Sequence, residues 1–170
     1  MRREGTGAGA AGGAGARSDA EPQAACGPAA DPEIEYVLHC DGASRGNPGT
    51  AAIGYVLCDA EDREFVAVGR VIGRRLTNNV AEYTALLEGL EAAARLGVRR
   101  LRVRMDSELV VRQLLGVYRV RHPGLQPLFA AVQERRRAFV RFNIEHVPRA
   151  QNERADALAN HALDELISRE

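Results

Sequence analysis

The segment YVLHCDGASRGNPG, residues 36–49, decides how the rest of the chain is interpreted. Its first residues are mostly apolar, and such a run is typical of a buried strand. Asp41 stands at the end of this strand, and a glycine-rich stretch that we predict to be a turn follows directly. A carboxylate in this position is costly to bury unless a partner compensates its charge. Asp41 is therefore expected to share a cation with other acidic residues.

A second acidic residue, Asp106, is also expected at the end of a strand. It follows an alternating run, residues 101–105, in which every second side chain is apolar. If this strand and the strand before Asp41 are parallel neighbours, their C-terminal ends lie together. Ligand sites in such sheets form at those ends. Asp41 and Asp106 would then reach a common ion.

Two more acidic residues, Glu82 and Asp156, are predicted in the first turns of helices. Both are placed at the edge of an apolar stripe and not on the polar face of their helix. For either residue alone, a favourable interaction with the helix dipole stays an open explanation. That explanation does not account for Asp41, nor for the inward placement of both helical acids.

The hydrophobic periodicity predicts an α/β fold with five strands and four helices. Strands are expected at 34–40, 51–57, 64–72, 101–105 and 139–147, and helices at 77–96, 107–115, 125–137 and 152–168. Three meandering strands followed by two strand–helix crossovers indicate one mixed five-stranded sheet flanked by helices.

The first part of the chain differs in composition from the rest. Residues 1–33 are rich in Gly and Ala without an apolar period, so we predict a disordered tail before a domain at 34–170. The alternative, a secretory signal, is disfavoured because residues 5–16 contain no Leu, Ile, Val or Phe. An odd number of cysteines favours reduced thiols in a cytoplasmic protein. No run approaches the ~20 apolar residues of a membrane span, so no membrane partner is expected.

The charge balance limits the possible partners. A formal net charge of zero argues against indiscriminate binding of nucleic acid. Of the 23 basic and 23 acidic residues, three and five lie in residues 1–33, which leaves 20 arginines and 18 acids for the domain. If four acids hold metal, the domain becomes moderately basic. The chain contains no lysine, so it cannot supply the lysine of a phosphate-binding loop.

Four clustered carboxylates make a hard-oxygen site that suits Mg²⁺ or Mn²⁺. Two such ions, ~4 Å apart, can hold the attacking and leaving oxygens of a phosphodiester. The glycines of residues 42–49 would allow backbone amides to approach a sugar–phosphate chain closely. A tight hairpin with no binding role is the alternative for this stretch.

Four segments of the chain together resemble type 1 ribonuclease H. They are DGASRGNPG at 41–49, TNNVAE at 77–82, DS at 106–107 and NERAD at 152–156. The resemblance covers residues 34–168 and implies a ribonuclease H-like fold with sheet order 3-2-1-4-5. It also implies endonucleolytic cleavage of the RNA strand of RNA–DNA hybrids, leaving 5′-phosphate and 3′-hydroxyl ends. It implies a monomer that needs no small-molecule cofactor.

The same resemblance assigns roles to the acids. Asp41 would bridge two metal ions, Mg²⁺ or Mn²⁺. Glu82 and Asp106 would complete the ligation, with Glu82 also near the RNA 2′-hydroxyl. Asp156 would serve the ion that activates water.

The resemblance further implies a substrate-binding set. Its members are Gly42, Ala43 and Ser44, through backbone groups, and Asn47, Asn78 and Asn79, through contacts to sugars and base edges in the minor groove. The 2′-hydroxyl is what distinguishes RNA from DNA at such a site. One of Thr77 and Asn78 is instead expected to cap the helix.

Two departures from the family pattern concern loops. Many members carry a histidine on a flexible loop before the last helix, but residues 147–151 read VPRAQ. His146 precedes this loop, and whether it has a catalytic part or lies only at the rim stays open. Some members carry a basic, Trp-bearing handle, whereas residues 116–127 are short and the chain has no Trp.

Two other functions remain as alternatives to cleavage of the RNA strand. One is a non-catalytic module that binds RNA–DNA hybrids, and the presence of all four acids argues against it. The other is a DNA-cleaving relative of the same fold. The Asp-Gly turn at 41–42 and the Thr-Asn-Asn segment at 77–79 favour the ribonuclease.

Overall fold

The computed structural model describes residues 29–170. The strands are β1 (Glu35–Gly46), β2 (Gly49–Cys58), β3 (Glu64–Leu76), β4 (Arg100–Met105) and β5 (Arg141–His146). The helices are α1 (Asn78–Arg95), α2 (Glu108–Leu114), α3 (Gln126–Arg135) and α4 (Glu153–Arg169), with short 3-10 turns at Arg136–Ala138 and Arg149–Gln151. The predicted number and order of elements are therefore confirmed for this part of the chain.

The five strands form one mixed sheet in the order β3-β2-β1-β4-β5, as predicted. β1 pairs antiparallel with β2 and parallel with β4, and β4 pairs parallel with β5. The parallel pairing of β1 with β4 ends at His39 and Arg104, whereas the pairing of β1 with β2 continues to Gly46. Asp41 therefore lies where the central strand has lost one neighbour and kept the other, which leaves room beside it for a site.

The predicted end of the first strand is wrong. Strand β1 does not stop before Asp41 but continues through the glycine-rich stretch to Gly46, and only Asn47 and Pro48 form the turn. Glycine is a poor strand former, and for this reason the glycine-rich stretch was predicted to be a turn. The ladder with β2, from Asp41–Gly54 to Gly46–Gly49, holds it in the sheet. β3 likewise runs past its predicted end, to Leu76.

The hydrophobic core lies between the sheet and helix α1. Leu38, Cys40, Leu101 and Val103 point to this side, where they are fully buried beneath α1. Helix α4 covers the opposite face of β1, β2 and β3. At Gly54 a Cβ atom would lie 2.0 Å from the Ala155 carbonyl oxygen, so α4 packs directly on the backbone of β2. These two helices carry Glu82 and Asp156 toward Asp41, in the middle of β1.

The described chain begins to pack before the predicted domain boundary at residue 34. Ala30 is buried, and its N–H donates to the Leu96 carbonyl oxygen at 2.8 Å. The N–H of Asp31 donates to the Tyr36 hydroxyl at 2.9 Å. Residues 1–28 of the predicted tail, which spans residues 1–33, lie outside the described residues, so the division into tail and domain stays a prediction.

Two further sequence expectations bear on the described residues. Cys40 and Cys58 are free, buried thiols, while Cys26 lies outside the described range. None of the helices within residues 29–170 has the length and apolarity that a membrane crossing requires.

Candidate active site

Three of the four predicted acids form a tight cluster. Asp41, Glu82 and Asp106 each offer a carboxylate oxygen, and these oxygens all lie within 4.8 Å of one another. Asp41 and Glu82 are buried, and Asp106 is half-buried. Unpaired carboxylates so close together in a buried place repel each other strongly unless a cation or protons intervene.

Helix α1 brings Glu82 to Asp41 through a close approach at Gly42. A Cβ atom on Gly42 would lie 2.3 Å from the Glu82 backbone nitrogen, so only glycine allows this distance. The Gly42 N–H donates to Glu82 Oε2 at 3.1 Å and fixes the carboxylate. The glycine after Asp41 therefore has a structural task that the sequence alone did not indicate.

The first turn of α1 shows which residue caps the helix and where Glu82 lies relative to that cap. Thr77 is the N-cap, and its hydroxyl accepts a hydrogen bond from the Val80 N–H at 3.3 Å. Counted from this cap, Glu82 lies beyond the first turn, which contains no acid. The prediction that Glu82 belongs to the first turn is therefore wrong. Since the effect of the helix dipole is confined to the terminal turn, the dipole does not explain a buried Glu82.

Asp106 is held by a residue that sequence reasoning missed. The Asn152 side-chain amide donates to Asp106 Oδ1 at 3.0 Å and to the Cys40 carbonyl oxygen at 2.8 Å. It thereby connects the residue that follows β4 to the middle of β1. As the residue before helix α4, Asn152 had an ordinary explanation as an N-cap. Because asparagine is common at the N-cap position, the sequence did not indicate that Asn152 contacts Asp106 and Cys40.

Asp156 lies in the first turn of α4 and lines the same cleft, outside the tight cluster. Its carboxylate interacts with Asp41 across the cleft. Asp156 Oδ1 also accepts hydrogen bonds from Arg149 at 3.2 Å and from Asn160 at 3.0 Å. Among the described residues, the structure therefore brings all four predicted acids to one cleft, with three of them in mutual contact distance.

The pKa values of the buried acids are strongly perturbed. Burial, and next the charge of Asp106, raise the pKa of Asp41 to about 8. Burial, and next the charge of Asp41, raise the pKa of Glu82 well above its ordinary value. The cluster is thus poor in compensating positive charge. A hard divalent cation would supply that charge, and all the donors present are carboxylate oxygens of the kind that Mg²⁺ and Mn²⁺ prefer.

The candidate substrate-binding residues divide between two neighbouring clefts. Gly42, Ala43, Ser44 and Asn78 line the acidic cleft, of about 260 Å³. Asn47 and Asn79 line the second cleft, of about 290 Å³, together with Thr77, Gln113, Arg119, Arg121 and His122. The Asn78 N–H donates to Asn47 Oδ1 at 3.1 Å and connects the β1–β2 turn to the start of α1 between them. The side-chain hydroxyl of Ser44 lies 3.1 Å from the Leu76 carbonyl oxygen.

Arginines at the mouth of the acidic cleft were not predicted as site residues. Arg149 pairs with Asp156, and Arg45 pairs with Asp164 at 2.8 Å while also donating to Asn160 at 3.1 Å. Both arginines are largely exposed, and so these ion pairs are weak in water. Nothing in the sequence VPRAQ at residues 147–151 singles out Arg149 as a site residue, because an arginine in a loop is common.

The chain is similar to known proteins in sequence and in fold. A family model described as reverse transcriptase-like matches residues 39–162. The bifunctional protein Rv2228c of Mycobacterium tuberculosis is 45% identical over 131 residues, which are 77% of this chain and 36% of that protein. The ribonuclease HI of Halobacterium salinarum is 50% identical over 125 residues, which are 74% of this chain and 62% of that protein.

Solved structures agree with these relatives. The N-terminal RNase H domain of Rv2228c superposes with a TM-score of 0.76 at 44% identity and covers 80% of this chain and 98% of that chain. RNase H1 of Halobacterium salinarum gives 0.74 at 47% identity, over 77% and 98% of the two chains. LC11-RNase H1 in complex with RNA/DNA hybrid gives 0.73 at 40% identity, over 78% and 99%.

The sheet order and the carboxylate cluster define a ribonuclease H-like domain. The chain belongs to the reverse transcriptase-like family, and its domain is of the ribonuclease H1 kind. It spans about a third of the length of the mycobacterial relative and somewhat under two thirds of the archaeal one.

Proposed function

We propose that this protein is an endoribonuclease that hydrolyses the RNA strand of RNA–DNA hybrids with two Mg²⁺ or Mn²⁺ ions. The observation that carries the proposal is the contact cluster of Asp41, Glu82 and Asp106, at the point where β1 separates from β4. The similarity to ribonuclease HI and to a ribonuclease H1 solved with a hybrid supports the same substrate. The products would carry 5′-phosphate and 3′-hydroxyl ends.

In this proposal the four acids share the metal-binding task. Asp41 lies centrally and would contact both ions, while Glu82 and Asp106 would hold them from α1 and β4. Asp156, on α4 at the edge of the cleft, would serve the second ion. Bound ions would supply Lewis-acid activation of water and neutralise the charge that develops on the departing oxygen. No protein nucleophile is required.

The two clefts suggest how a hybrid would be oriented. The RNA strand would follow the acidic cleft, where the backbone of residues 42–44 and Asn78 face it. The DNA strand would follow the second cleft, which contains amides and arginines but no acid. Asn47 and Asn79 would contact sugars and base edges between the strands. Discrimination would come from the 2′-hydroxyl near Glu82.

We also propose that the chain is a short-loop form of this enzyme, without the basic handle. In the loop after β5, Arg149 is the ionisable residue that reaches the acidic cleft. The grip on substrate would then depend on this arginine and on the second cleft. We propose a monomeric, cytoplasmic enzyme that needs no small-molecule cofactor.

The first experiment asks which duplex is cut. Labelled RNA–DNA hybrid, double-stranded RNA, DNA duplex and DNA with a single ribonucleotide are each incubated with the protein and Mg²⁺ or Mn²⁺. We expect cleavage of the hybrid alone or by far the fastest, and none with EDTA. Cleavage of the DNA duplex would favour the DNA-cleaving relative. Binding of the hybrid without cleavage under either metal would favour the non-catalytic module.

The second experiment removes the central ligand. We expect Asp41→Asn to reduce cleavage by at least ~10³-fold, because it removes charge from the metal site, while folding and hybrid binding remain measurable. Glu61→Gln serves as the matched control, since this exposed residue lies in the β2–β3 loop away from the cleft. Near-normal cleavage by Asp41→Asn would contradict the two-metal assignment.

A further inference from the structure

We propose that His39 is a positioning residue for the metal site and that it acts on Asp106 through Asn152. The inference rests on the proposed function, which gives Asp106 its task as a metal ligand. Neither the sequence motifs nor the comparisons assign a role to His39. The hydrogen-bonding capacity of the buried Asn152 side chain carries the inference.

The orientation of the Asn152 amide is fixed by its two acceptors. Its NH₂ group donates to the Cys40 carbonyl oxygen and to Asp106 Oδ1. The flipped amide would point its oxygen at these two acceptors, an arrangement that is repulsive. Both amide hydrogens are thus engaged on the side of the acids, and the amide oxygen faces the other way.

The Asn152 side-chain oxygen, Oδ1, is buried and lacks a hydrogen-bond donor among the described residues. Asn152 is only 1% exposed, and within residues 29–170 no donor has full hydrogen-bond geometry to Oδ1. Asn152 precedes helix α4, yet its side chain accepts no capping hydrogen bond from the first turn. A buried acceptor without a donor has lost its hydrogen bonds to water without replacement, which is unfavourable. A donor close to this oxygen would remove most of that cost by a small side-chain adjustment.

His39 is placed to be that donor. It lies on β1 two residues before Asp41, on the same face, and lines with Asn152 a cavity of about 200 Å³ behind the acids. Burial, and next the charge of Arg104, lower the pKa of His39, whereas the neighbouring Asn152 side chain acts in the opposite direction. Since both amide hydrogens of Asn152 are engaged, Oδ1 is the atom left to accept an N–H from His39. A neutral imidazole still carries one N–H, so the contact does not depend on protonation.

The chain of contacts then runs from His39 through Asn152 to Asp106. If His39 holds the Asn152 oxygen, the amide plane is fixed, and the amide hydrogen fixes the direction of the Asp106 carboxylate. Hydrogen-bonding partners that orient metal ligands typically change metal affinity or activity by ~10–100-fold. Because His39 acts through an intermediate residue, we expect about 3–10-fold.

The test compares side chains that keep or lose the donor. His39→Leu cannot donate, whereas His39→Asn and His39→Gln place an amide N–H near the positions of Nδ1 and Nε2. His161→Leu is the control, because His161 is exposed on α4 and pairs only with Glu165. For each variant we would measure Mn²⁺ affinity by calorimetry without substrate, kcat and KM on an RNA–DNA hybrid, and the unfolding temperature.

We expect His39→Leu to weaken Mn²⁺ binding and lower kcat by about 3–10-fold at unchanged KM, with recovery in one amide variant and no change in His161→Leu. In an Asn152→Ala background, His39→Leu should have no further effect on Mn²⁺ affinity, since the two residues act in series. Unchanged Mn²⁺ affinity in His39→Leu, or equal losses in both backgrounds, would overturn the proposal. Since calorimetry needs no cleavage, that outcome is distinct from wild-type protein that fails to cut the hybrid.

Discussion

Asp41 is the residue at which stability and function oppose each other. It is 4% exposed and lies in contact distance of two other carboxylates. Without a cation, burial and next the charge of Asp106 raise the pKa of Asp41 to about 8, so the folded protein takes up a proton there far more readily than an exposed carboxylate does. A site built for metal therefore weakens the metal-free fold.

This opposition predicts an unusual pH dependence. The pKa of Asp41 is raised from 3.8 to about 8, so between these values the folded state binds more protons than the unfolded state. Stability of the metal-free protein should then fall as the pH rises from about 5 to 8. Asp41→Asn should flatten this fall and stabilise the metal-free protein at pH 8 by roughly 1–3 kcal/mol, measured by thermal unfolding in EDTA.

Added Mn²⁺ provides the internal check on this prediction. It should raise the unfolding temperature of the wild-type protein at pH 8, because a ligand of the folded state stabilises it by mass action. The same addition should have much less effect on Asp41→Asn. A metal-free Asp41→Asn protein that unfolds below the wild type at pH 8 would contradict the assignment of Asp41 as an uncompensated charge.

At the scale of residues, the sequence was informative where a residue contradicted its local context. Asp41 at the end of an apolar run, and Glu82 and Asp156 beside apolar stripes, were conspicuous for this reason. Asn152 and Arg149 were not, because an asparagine before a helix and an arginine in a loop have ordinary explanations. Their contacts depend on tertiary distances, which spacing along the chain does not reveal.

At the scale of elements, the predicted order was right and one important boundary was wrong. The strand pattern was recognisable from apolar runs and alternation, but residues 42–46 of β1 read GASRG and have no apolar signal. Its partner β2 and the helix that lies on Gly42 decide its conformation. A local sequence pattern carries no information about such tertiary contacts.

The close approach of helix α1 to strand β1 at Gly42 allows a prediction at the scale of elements. Gly42→Ala would place a methyl group 2.3 Å from the Glu82 nitrogen, so α1 must move and carry Glu82 with it. We expect a loss of about 1–3 kcal/mol in the free energy of unfolding and a ~10²-fold or greater loss of hybrid cleavage.

Gly124→Ala is the matched control for this substitution. Its methyl group would meet only the His122 ring, at 3.0 Å, in an exposed loop. Its stability should stay within ±0.5 kcal/mol of the wild type, and stability is the quantity for which it serves as control, because His122 lines the second cleft. Equal behaviour of the two variants would mean that the approach of α1 to β1 is not critical.

At the scale of the whole molecule, the start of the folded unit can be located by truncation. Deleting residues 1–28 should leave the unfolding temperature and the cleavage of hybrid nearly unchanged. Deleting residues 1–33 also removes the contacts of Ala30 and Asp31 and the ion pair of Glu33 with Arg100 at 2.9 Å. That variant should unfold several degrees lower, at about 1–2 kcal/mol less stability, yet remain active.

Both truncations are checked by thermal unfolding and by one hybrid-cleavage assay. A marked drop in unfolding temperature on removing residues 1–28 alone would show that the glycine-rich segment contributes to the fold. Indistinguishable unfolding of the two truncated proteins would instead place the true boundary at residue 34, as the composition first indicated.

The uninterrupted course of β1 past Asp41 places two proposed binding surfaces on one strand. In the proposed function, Asp41 would be the central metal ligand, and the backbone of the next three residues, which lines the same cleft, would face the substrate. The ladder with β2 already orders this strand, so neither partner has to order it. Thermodynamic reciprocity requires that whatever factor the metal adds to hybrid affinity, the hybrid adds to metal affinity. If the metal strengthens hybrid binding, the protein would therefore hold its ions more firmly once a duplex is bound.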